Sequence, residues 1–505
     1  LDTVAGIDQL IDQGAPLPTA LQHYYNSNFA EAEQLCRQVL QQQPDRVEAL
    51  QILSVSLCRA GQLIAAIPYL QRLVQLQPDA AEGWGNLGTA LREQGRIEDA
   101  IAHFHCAIVL KPDYADAHYN LALVLQEDDR LEDALFHSQQ VLALKPDFAD
   151  GFYNQGFILR RLGRLEEAIA NYRTAIQLDP NSAGAHKNLG HALLLTGDLR
   201  QGFQEYEWRW QQFGWTPRSY AQPLWDGSPL NGKTILLHAE QGFGDTMQFI
   251  RYATLVKQLG GRVVVECQPS LLTLLDTVAG IDQLIDQGAP LPAFDVHAPL
   301  LSLPHLLGTT LETIPANIPY LQTSLPLLPL LPSPVRLSAH VEALTPHSSL
   351  KVGIVWTGNP DHKNNRYRSC AIDQFLAVCQ LPGVAFYSLQ KGADEDLQAV
   401  STGLVQDVGQ HLHNFSDTAA AIAQLDLVIT IDTAVAHLAG ALGKPVWLLL
   451  SFAPDWRWLL ERDDSPWYPT MRLFRQRQRG HWQGVFERVA AALWQWVETG
   501  NKAGR

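Results

Sequence analysis

Pro44, Pro78, Pro112, Pro146 and Pro180 follow one another at a spacing of 34 residues. Ala32, Ala66, Ala100, Ala134 and Ala168 keep the same step, as do Asn86, Asn120, Asn154 and Asn188. Three registers sharing one period mean that the first part of the chain repeats a single unit. Within a unit, "AEGWGNLGTALREQG" has apolar residues at helical spacing and stops at Gly95. "RIEDAIAHFHCAIVLKPD" has a second such run and stops at Pro112, which cannot continue a helix. Each unit is therefore a pair of helices, and the small alanine of the second helix lets the two approach closely. Such a pair buries its apolar face only against its neighbours. The array must stack into a superhelical solenoid with a concave groove.

These residues resemble the tetratricopeptide pattern. Five full units fit between about Thr19 and Pro180, and a sixth, degenerate unit extends to about Phe213. The asparagine ladder is similar to that of the O-GlcNAc transferase solenoid. That resemblance implies that Asn86, Asn120, Asn154 and Asn188 line the groove and hold the backbone of a bound polypeptide. Local helix packing is the alternative, although Asn has little helix propensity. Ile52 fills the slot in the second unit.

"LDTVAGIDQLIDQGAPLP" occupies residues 1–18 and recurs unchanged at 275–292. The repeat frame, extended backwards, asks for a helix at about 13–26, where Gly14, Pro16 and Pro18 are poor helix residues. At 275–292 the same letters fit a helix end, a short strand and a turn. The first copy reads as an artefact, with a genuine arm as the alternative.

The chain's 505 residues exceed one core, and 46% hydrophobic with 18% charged residues is a globular composition. A net charge of −15 argues against a general nucleic-acid or anionic-membrane binder. The six cysteines form no C-x-x-C pair, and no histidine cluster has zinc-ligand spacing. Reduced thiols in a cytoplasmic protein are expected. No signal peptide or uncharged run long enough to span a bilayer is apparent.

After the tryptophan-rich stretch "FQEYEWRWQQFGWTPRSYAQPLWDG" the period changes. "KTILLHA", "GRVVVEC", "LKVGIVW", "VAFYSLQ", "LDLVITI" and "KPVWLLL" are short apolar runs of strand length separated by helical stretches. Strand–helix alternation gives parallel, doubly wound sheets. Two sets flank a proline-rich segment near 315–346. The expected architecture is α + α/β: a solenoid over 19–213, then two Rossmann-like lobes over 214–335 and 336–505 with a cleft between them. The last amphipathic helix, "GVFERVAAALWQWVE", is expected to cross back onto the first lobe. Neither a G-x-G-x-x-G fingerprint nor a Walker A lysine motif is present, so no nicotinamide cofactor is expected.

Two stretches carry candidate chemistry. In "LLHAEQGFGDTMQF" a buried strand ends and Gly242, Gly244 and Asp245 follow. The glycines suit a tight turn, and Asp245 is either a base or the cap of the helix that follows. In "LVITIDTAVAHLAGALGKPVWLLL" a strand ends at Ile431, Asp432 and Thr433 form the turn, and a helix begins at Ala434 with His437 one turn in. Small residues at a helix start leave N–H groups that suit a diphosphate. A plain helix cap, with the histidine packed on the sheet, is equally open. "PDWRWLLERDDSPWYP" holds Trp456, Arg457, Trp458, Trp467 and Tyr468, and its rings are read either as the wall of a sugar or nucleotide site or as core.

"ITIDTAVAHLAGALGKPVW" resembles the D-[ST]-x-x-x-H-x-A-x-A-x-x-x-P signature of the heptosyltransferase family of GT-B glycosyltransferases. "GFGDTMQF" is similar to that family's first-lobe G-x-G-D loop. "KVGIVWTGNPDHKNNRYRS", "FYSLQKG" and "DWRWLLERDDSPWYPTMRLFRQ" look like a branch in which this domain follows tetratricopeptide repeats, which bacterial flagellin-modifying glycosyltransferases also resemble. The resemblance implies an inverting transfer from a nucleotide sugar to a Ser or Thr hydroxyl of a polypeptide held by the solenoid. It implies Asp245 as base and places Gly242 and Gly244 in the acceptor loop. Asp432, Thr433, Ala434 and His437 would be donor-binding, with Gln390 at the nucleotide. The family's phosphate-contacting lysine has no unambiguous match, and Arg368 or Lys391 stands in for it. No D-x-D motif ends a strand, so neither a metal nor another cofactor is expected. A scaffold whose transferase domain binds nucleotide without turnover is one alternative, and an enzyme whose acceptor is a glycan, with the repeats serving assembly, is another.

Overall fold

The computed structural model describes residues 16–211, 218, 220–323, 350–362, 364–391 and 404–499. The proposed arm lies mainly outside these residues, as do part of the tryptophan-rich junction and most of the proline-rich segment. The chain divides into two compact units between Ala185 and His186.

The first unit is built of helix pairs: α1 (Pro16–Tyr25) with α2 (Phe29–Gln42), α3 (Val47–Arg59) with α4 (Leu63–Leu76), α5 (Ala81–Glu93) with α6 (Ile97–Leu110), α7 (Ala115–Glu127) with α8 (Leu131–Leu144), and α9 (Ala149–Arg161) with α10 (Leu165–Leu178). α11 (Ala183–Thr196) and α12 (Leu199–Tyr206) continue the pattern across the division. The second members begin at 29, 63, 97, 131, 165 and 199, a 34-residue step without a slip. The turn inside each pair needs a left-handed residue. Gly61, Gly95, Gly163 and Gly197 supply it, while Ser27 and Asp129 adopt it with φ of 60° and 70°. The alanine register is wholly buried. The helices touch so closely that a Cβ on Gly156 would lie 2.8 Å from Tyr172 Cε1.

Pro16 and Pro18 fall within the first turn of α1. The expectation that a helix rejects them there is corrected. First-turn N–H groups have no intrahelical acceptor, so proline gives up no helix bond at those places.

The second unit holds two parallel sheets. β1 (Thr234–His238), β2 (Arg262–Cys267), β3 (Gln283–Asp286) and β4 (Val296–Pro299) run in the order β3-β2-β1-β4. β5 (Leu350–Val355), β6 (Val384–Ser388), β7 (Val405–Asp407), β8 (Leu427–Ile431), β9 (Val446–Leu450) and β10 (Met471–Arg475) run in the order β10-β9-β8-β5-β6-β7. Every pairing is parallel. The second order is that of a complete doubly wound sheet, and the first is a shorter form of the same winding. The winding reverses between β1 and β4 in one sheet and between β5 and β8 in the other. Crevices open at such places, past the carboxyl ends of the strands. The second copy of the duplicated stretch ends a helical turn at Leu275, forms β3 and turns at Gly288.

Two expectations are corrected. "TMQFIRYATLVKQLG" is not one helix but α13 (Phe243–Phe249), a 3₁₀ turn at Ile250–Tyr252 and α14 (Ala253–Gln258). Ile250, Arg251 and Tyr252 are all buried. The final helix, Gln483–Thr499, packs on the second sheet rather than the first. Val485, Phe486, Val489, Leu493 and Trp496 share one core with Val352, Ile354, Phe375 and Phe474.

Candidate active site

The loop after β1 makes its turn at Gln241, whose φ is 61°. Gly242 has ordinary extended backbone, φ −88° and ψ 170°, and is the N-cap of α13. The tight turn expected of the two glycines is therefore made by their neighbour. Gly244 serves another purpose. A Cβ there would lie 2.9 Å from His437 Cδ2 and 3.6 Å from the Ala434 Cα, so its bareness lets the two lobes touch. Asp245 is not the cap either. It sits in the first turn, where Oδ2 accepts from the Gly242 N–H at 2.8 Å. There its charge complements the helix dipole.

Asp245 Oδ1 meets Arg457, a residue of the 3₁₀ turn Trp456–Trp458 beyond β9. Arg457 donates from Nη2 to Asp245 Oδ1 at 2.5 Å, from Nε to Gln248 Oε1 at 2.5 Å, and from Nη1 to Asp455 Oδ1 at 2.8 Å. Burial pushes the Asp245 carboxyl up, and the Arg457 charge opposes the rise without cancelling it. Burial also acts on Asp455, but there Arg457 outweighs it and holds the carboxyl below its ordinary value. Burial and the charge of Asp455 push Asp432 up to about 6. Environments that drive neighbouring carboxyls apart in this way are those from which acid–base chemistry is built.

In the second lobe, β8 ends at Ile431 and an eight-residue helix runs Ala434–Ala441. Thr433 holds the N-cap position with φ −141° and ψ 173°, but its hydroxyl makes no cap bond. It lies 3.3 Å from Thr430 Oγ1 instead, which leaves the half-buried helix start without a side-chain acceptor. Arg368 reaches the same turn, donating from Nη1 to Asp432 O at 3.0 Å, while its buried Nε has no partner. Gln390 is differently employed from expectation. Its Oε1 accepts from the Trp356 and Thr357 N–H groups at 3.3 and 3.1 Å, tying down the end of β5. Lys391 donates to His413 O at 3.3 Å. Because β5 separates β6 from β8, the winding reversal of this sheet, where a crevice is expected, lies between β5 and β8.

His437 is enclosed, 5% exposed, with Nδ1 2.9 Å from the Tyr468 hydroxyl and its ring stacked on Trp458. It packs the lobe boundary and is not open to a ligand. Trp456, Trp458, Trp467 and Tyr468 are likewise core. Burial pushes the His437 imidazole down to about 3. The unfolded chain takes up that proton below about pH 6.5, so stability is lost as pH falls through this range, by about 1.4 kcal/mol per pH unit. Urea unfolding at pH 7 and pH 5 should show wild type losing about 2 kcal/mol more than His437→Gln. Equal losses would mean that His437 is already charged in the folded state.

Three features had no distinct signal in the sequence. Arg251 is buried without a carboxylate. It donates to Gln248 O, Pro315 O, Trp467 O and the Tyr320 hydroxyl, and its guanidinium carbon lies 4.3 Å from the Tyr320 ring centroid. Arg209 pairs with Glu240 at 2.7 Å and so anchors the root of the Asp245 loop. His362 feels the charges of Arg368, Asp455 and Asp245, which places it at the same cleft.

The asparagine ladder is not uniform. Asn86 is half-buried, and Asn120 donates to Asp116 O of its own helix at 2.8 Å. Asn154 is 4% exposed, and its Nδ2 has no partner among the described residues. It is enclosed by helix packing and does not line an open surface. Asn188 belongs to the second unit, and Ile52 is buried in the vacant slot.

Residues 17–81 match the tetratricopeptide repeat family, and 88–129 and 156–197 match the TPR repeat family. The N-terminal region is a tetratricopeptide solenoid, and parallel sheets follow it. Protein FlbA of Caulobacter vibrioides is 29% identical over 297 residues, covering 53% of this chain and 48% of that protein. The chain thus spans about half the length of the curated relative it matches. Among solved structures, a crystal structure of MamA is 26% identical and aligns over 32% of this chain and 96% of its own, with a TM-score of 0.31. A thermophilic TPR protein of Thermus thermophilus is 26% identical over 36% of this chain and 98% of its own, with a TM-score of 0.30. Among the described residues no helix is long and apolar enough to cross a membrane.

Proposed function

We propose that the chain is a GT-B glycosyltransferase that moves a sugar from a nucleotide-sugar donor to a Ser or Thr hydroxyl of a polypeptide held by the repeats. One observation supports this reading above the rest. The loop past β1 and the turn past β8, each beside a winding reversal, meet where Gly244 touches the helix that starts at Ala434. A carboxylate with a raised pKa thereby comes close to a bare helix start and Arg368.

The chemistry follows from those positions. Asp245 takes the proton of the acceptor hydroxyl as its oxygen attacks the anomeric carbon. The new C–O bond forms on one face while the bond to the diphosphate breaks on the other, which inverts the centre. The departing diphosphate is met by the free N–H groups at Ala434 and by Arg368, whose Nε still lacks an acceptor. Asp455, held ionised by Arg457, is the counter-ion and not the base. Nucleoside diphosphate release from a panel of UDP-, GDP-, dTDP- and ADP-sugars tests the activity. Release from at least one donor, lost in Asp245→Asn, is expected. Donor binding without release would make the chain a nucleotide-binding scaffold.

Asp432 adds a pH signature. Its carboxyl stands at about 6, beside the place proposed for a diphosphate. An anionic Asp432 repels that diphosphate and a protonated one does not, so binding should tighten as pH falls. A sugar nucleotide keeps constant charge over this range. Its Kd should be about tenfold lower at pH 5.5 than at pH 7.5, roughly 1.4 kcal/mol. Asp432→Asn should abolish the dependence. A pH-independent Kd in wild type would move the diphosphate away from Asp432.

A further inference from the structure

We propose that Arg457 is the positioning residue of this site: reaching across from the second lobe, it clamps the Asp245 carboxylate in one orientation, so that neither lobe alone carries a working base. The inference rests on the sugar-transfer reading given above.

Both carboxylate oxygens of Asp245 are engaged, but from different lobes. Oδ2 is held by the Gly242 N–H of its own helix start at 2.8 Å, and Oδ1 by Arg457 Nη2 at 2.5 Å. A carboxylate has about four lone-pair sites, so two bonds fix its plane and leave room for an acceptor hydroxyl. The guanidinium cannot swing, because each of its three nitrogens has its own acceptor. Nε donates to Gln248, one turn along α13 from Asp245, so that Arg457 grips the first-lobe helix at two points. Nη1 donates to Asp455 at 2.8 Å, and the Arg457 backbone N–H binds the same oxygen at 3.1 Å. The guanidinium carbon also lies 4.4 Å from the Trp456 ring centroid. The side chains of Arg457 and Asp245 keep only 9% and 19% of their exposure, so water does little to replace either contact. Lysine carries the charge but not the fork and holds at most part of this geometry.

Among the described residues, several titratable groups besides Arg457 bear on the ionisation of Asp245. Glu240 lies at the root of its own loop, Tyr206 on α12, His362 on the loop after β5, and Asp455 beside Arg457. Burial and Asp455 push the Asp245 carboxyl up, and Arg457 is the main force against them. Neutralising Arg457 therefore raises the carboxyl further and leaves less of the ionised form at neutral pH. A merely structural arginine would change stability without changing where Asp245 titrates.

The test uses the full chain labelled with carbon-13 at aspartate Cγ, with the Asp245 resonance assigned by its loss in Asp245→Asn. In Arg457→Gln, Asp245 should titrate about 1–3 pH units higher than in wild type. In Arg457→Lys the midpoint should move much less. Turnover of the active donor should still fall about tenfold in that variant at little-changed KM, because the charge stays and the orientation is lost. If Arg457→Gln does not fold, Arg457→Lys carries the test through its kcat. An unshifted Asp245 midpoint in folded Arg457→Gln, or wild-type turnover in Arg457→Lys, overturns the clamp. A wild-type chain that consumes no sugar nucleotide would instead sink the transfer reading, and the titration would still decide whether Arg457 governs Asp245.

Discussion

Asp245→Asn is expected to fold, bind donor and lose sugar transfer by about 10²–10⁴, or some 3–5 kcal/mol of barrier. Asparagine keeps the size of the side chain and one oxygen, which can serve the Gly242 N–H or Arg457 but not both, so a modest loss of stability should accompany the loss of turnover. It cannot accept a proton. The loss should fall on kcat and leave donor affinity nearly unchanged, since the donor is assigned to the other lobe. A variant with near-normal turnover and a lowered Tm would reduce Asp245 to a structural partner of Arg457. The site would then lack a base among the residues assigned to it.

Arg251→Ala should have the largest effect on stability. The guanidinium satisfies the carbonyls of Gln248, Pro315 and Trp467 and the Tyr320 hydroxyl, all around one buried place. Truncation strands these groups and opens a cavity. Each stranded buried group costs about 1–3 kcal/mol, and neighbouring losses are not additive. A net loss of about 3–5 kcal/mol is expected, measured by denaturant unfolding of the full chain. Arg251→Met fills most of the space and removes only the donors, so it should lie between the two. A loss below 1 kcal/mol in Arg251→Ala would mean that water replaces the guanidinium and that this contact does not hold the lobes together.

What could be read in the sequence depended on the range of the interaction responsible. The solenoid is local. Its proline, alanine and asparagine registers gave the helix pairs, whose second members start every 34 residues. The prolines at 16 and 18 were misjudged because their cost depends on position within the turn, and the frame locates that position only to a few residues. The strands of the second unit were legible as apolar runs, but their order was not. β5 separates β6 from β8 through pairings between residues up to 75 positions apart, such as Val352 with Leu427. The last helix showed its apolar face plainly, and that face does not name the sheet that receives it. The candidate site divides in the same way. Gly242, Gly244, Asp245, Asp432 and Thr433 stand out because turn chemistry is local. Arg457 shows in the sequence only as a neighbour of the tryptophans, and its contact does not show, because its partner Asp245 lies 212 residues away. His437 stood out for the wrong reason. It sits one turn into a helix, packed against Gly244 and Tyr468 and not open to a ligand.

Binding of a sugar nucleotide where the helix at Ala434 meets Arg368 is what the proposed function stands on. It is tested most directly by thermal unfolding of the full chain with and without UDP-, GDP-, dTDP- and ADP-sugars, in wild type and in Arg368→Ala. A donor at a hundredfold excess over its Kd stabilises the folded chain by about 2.7 kcal/mol. At least one donor should therefore raise the Tm by several degrees in wild type and by far less in Arg368→Ala. No rise with any donor, or an equal rise in the two chains, would contradict the site and the account built on it.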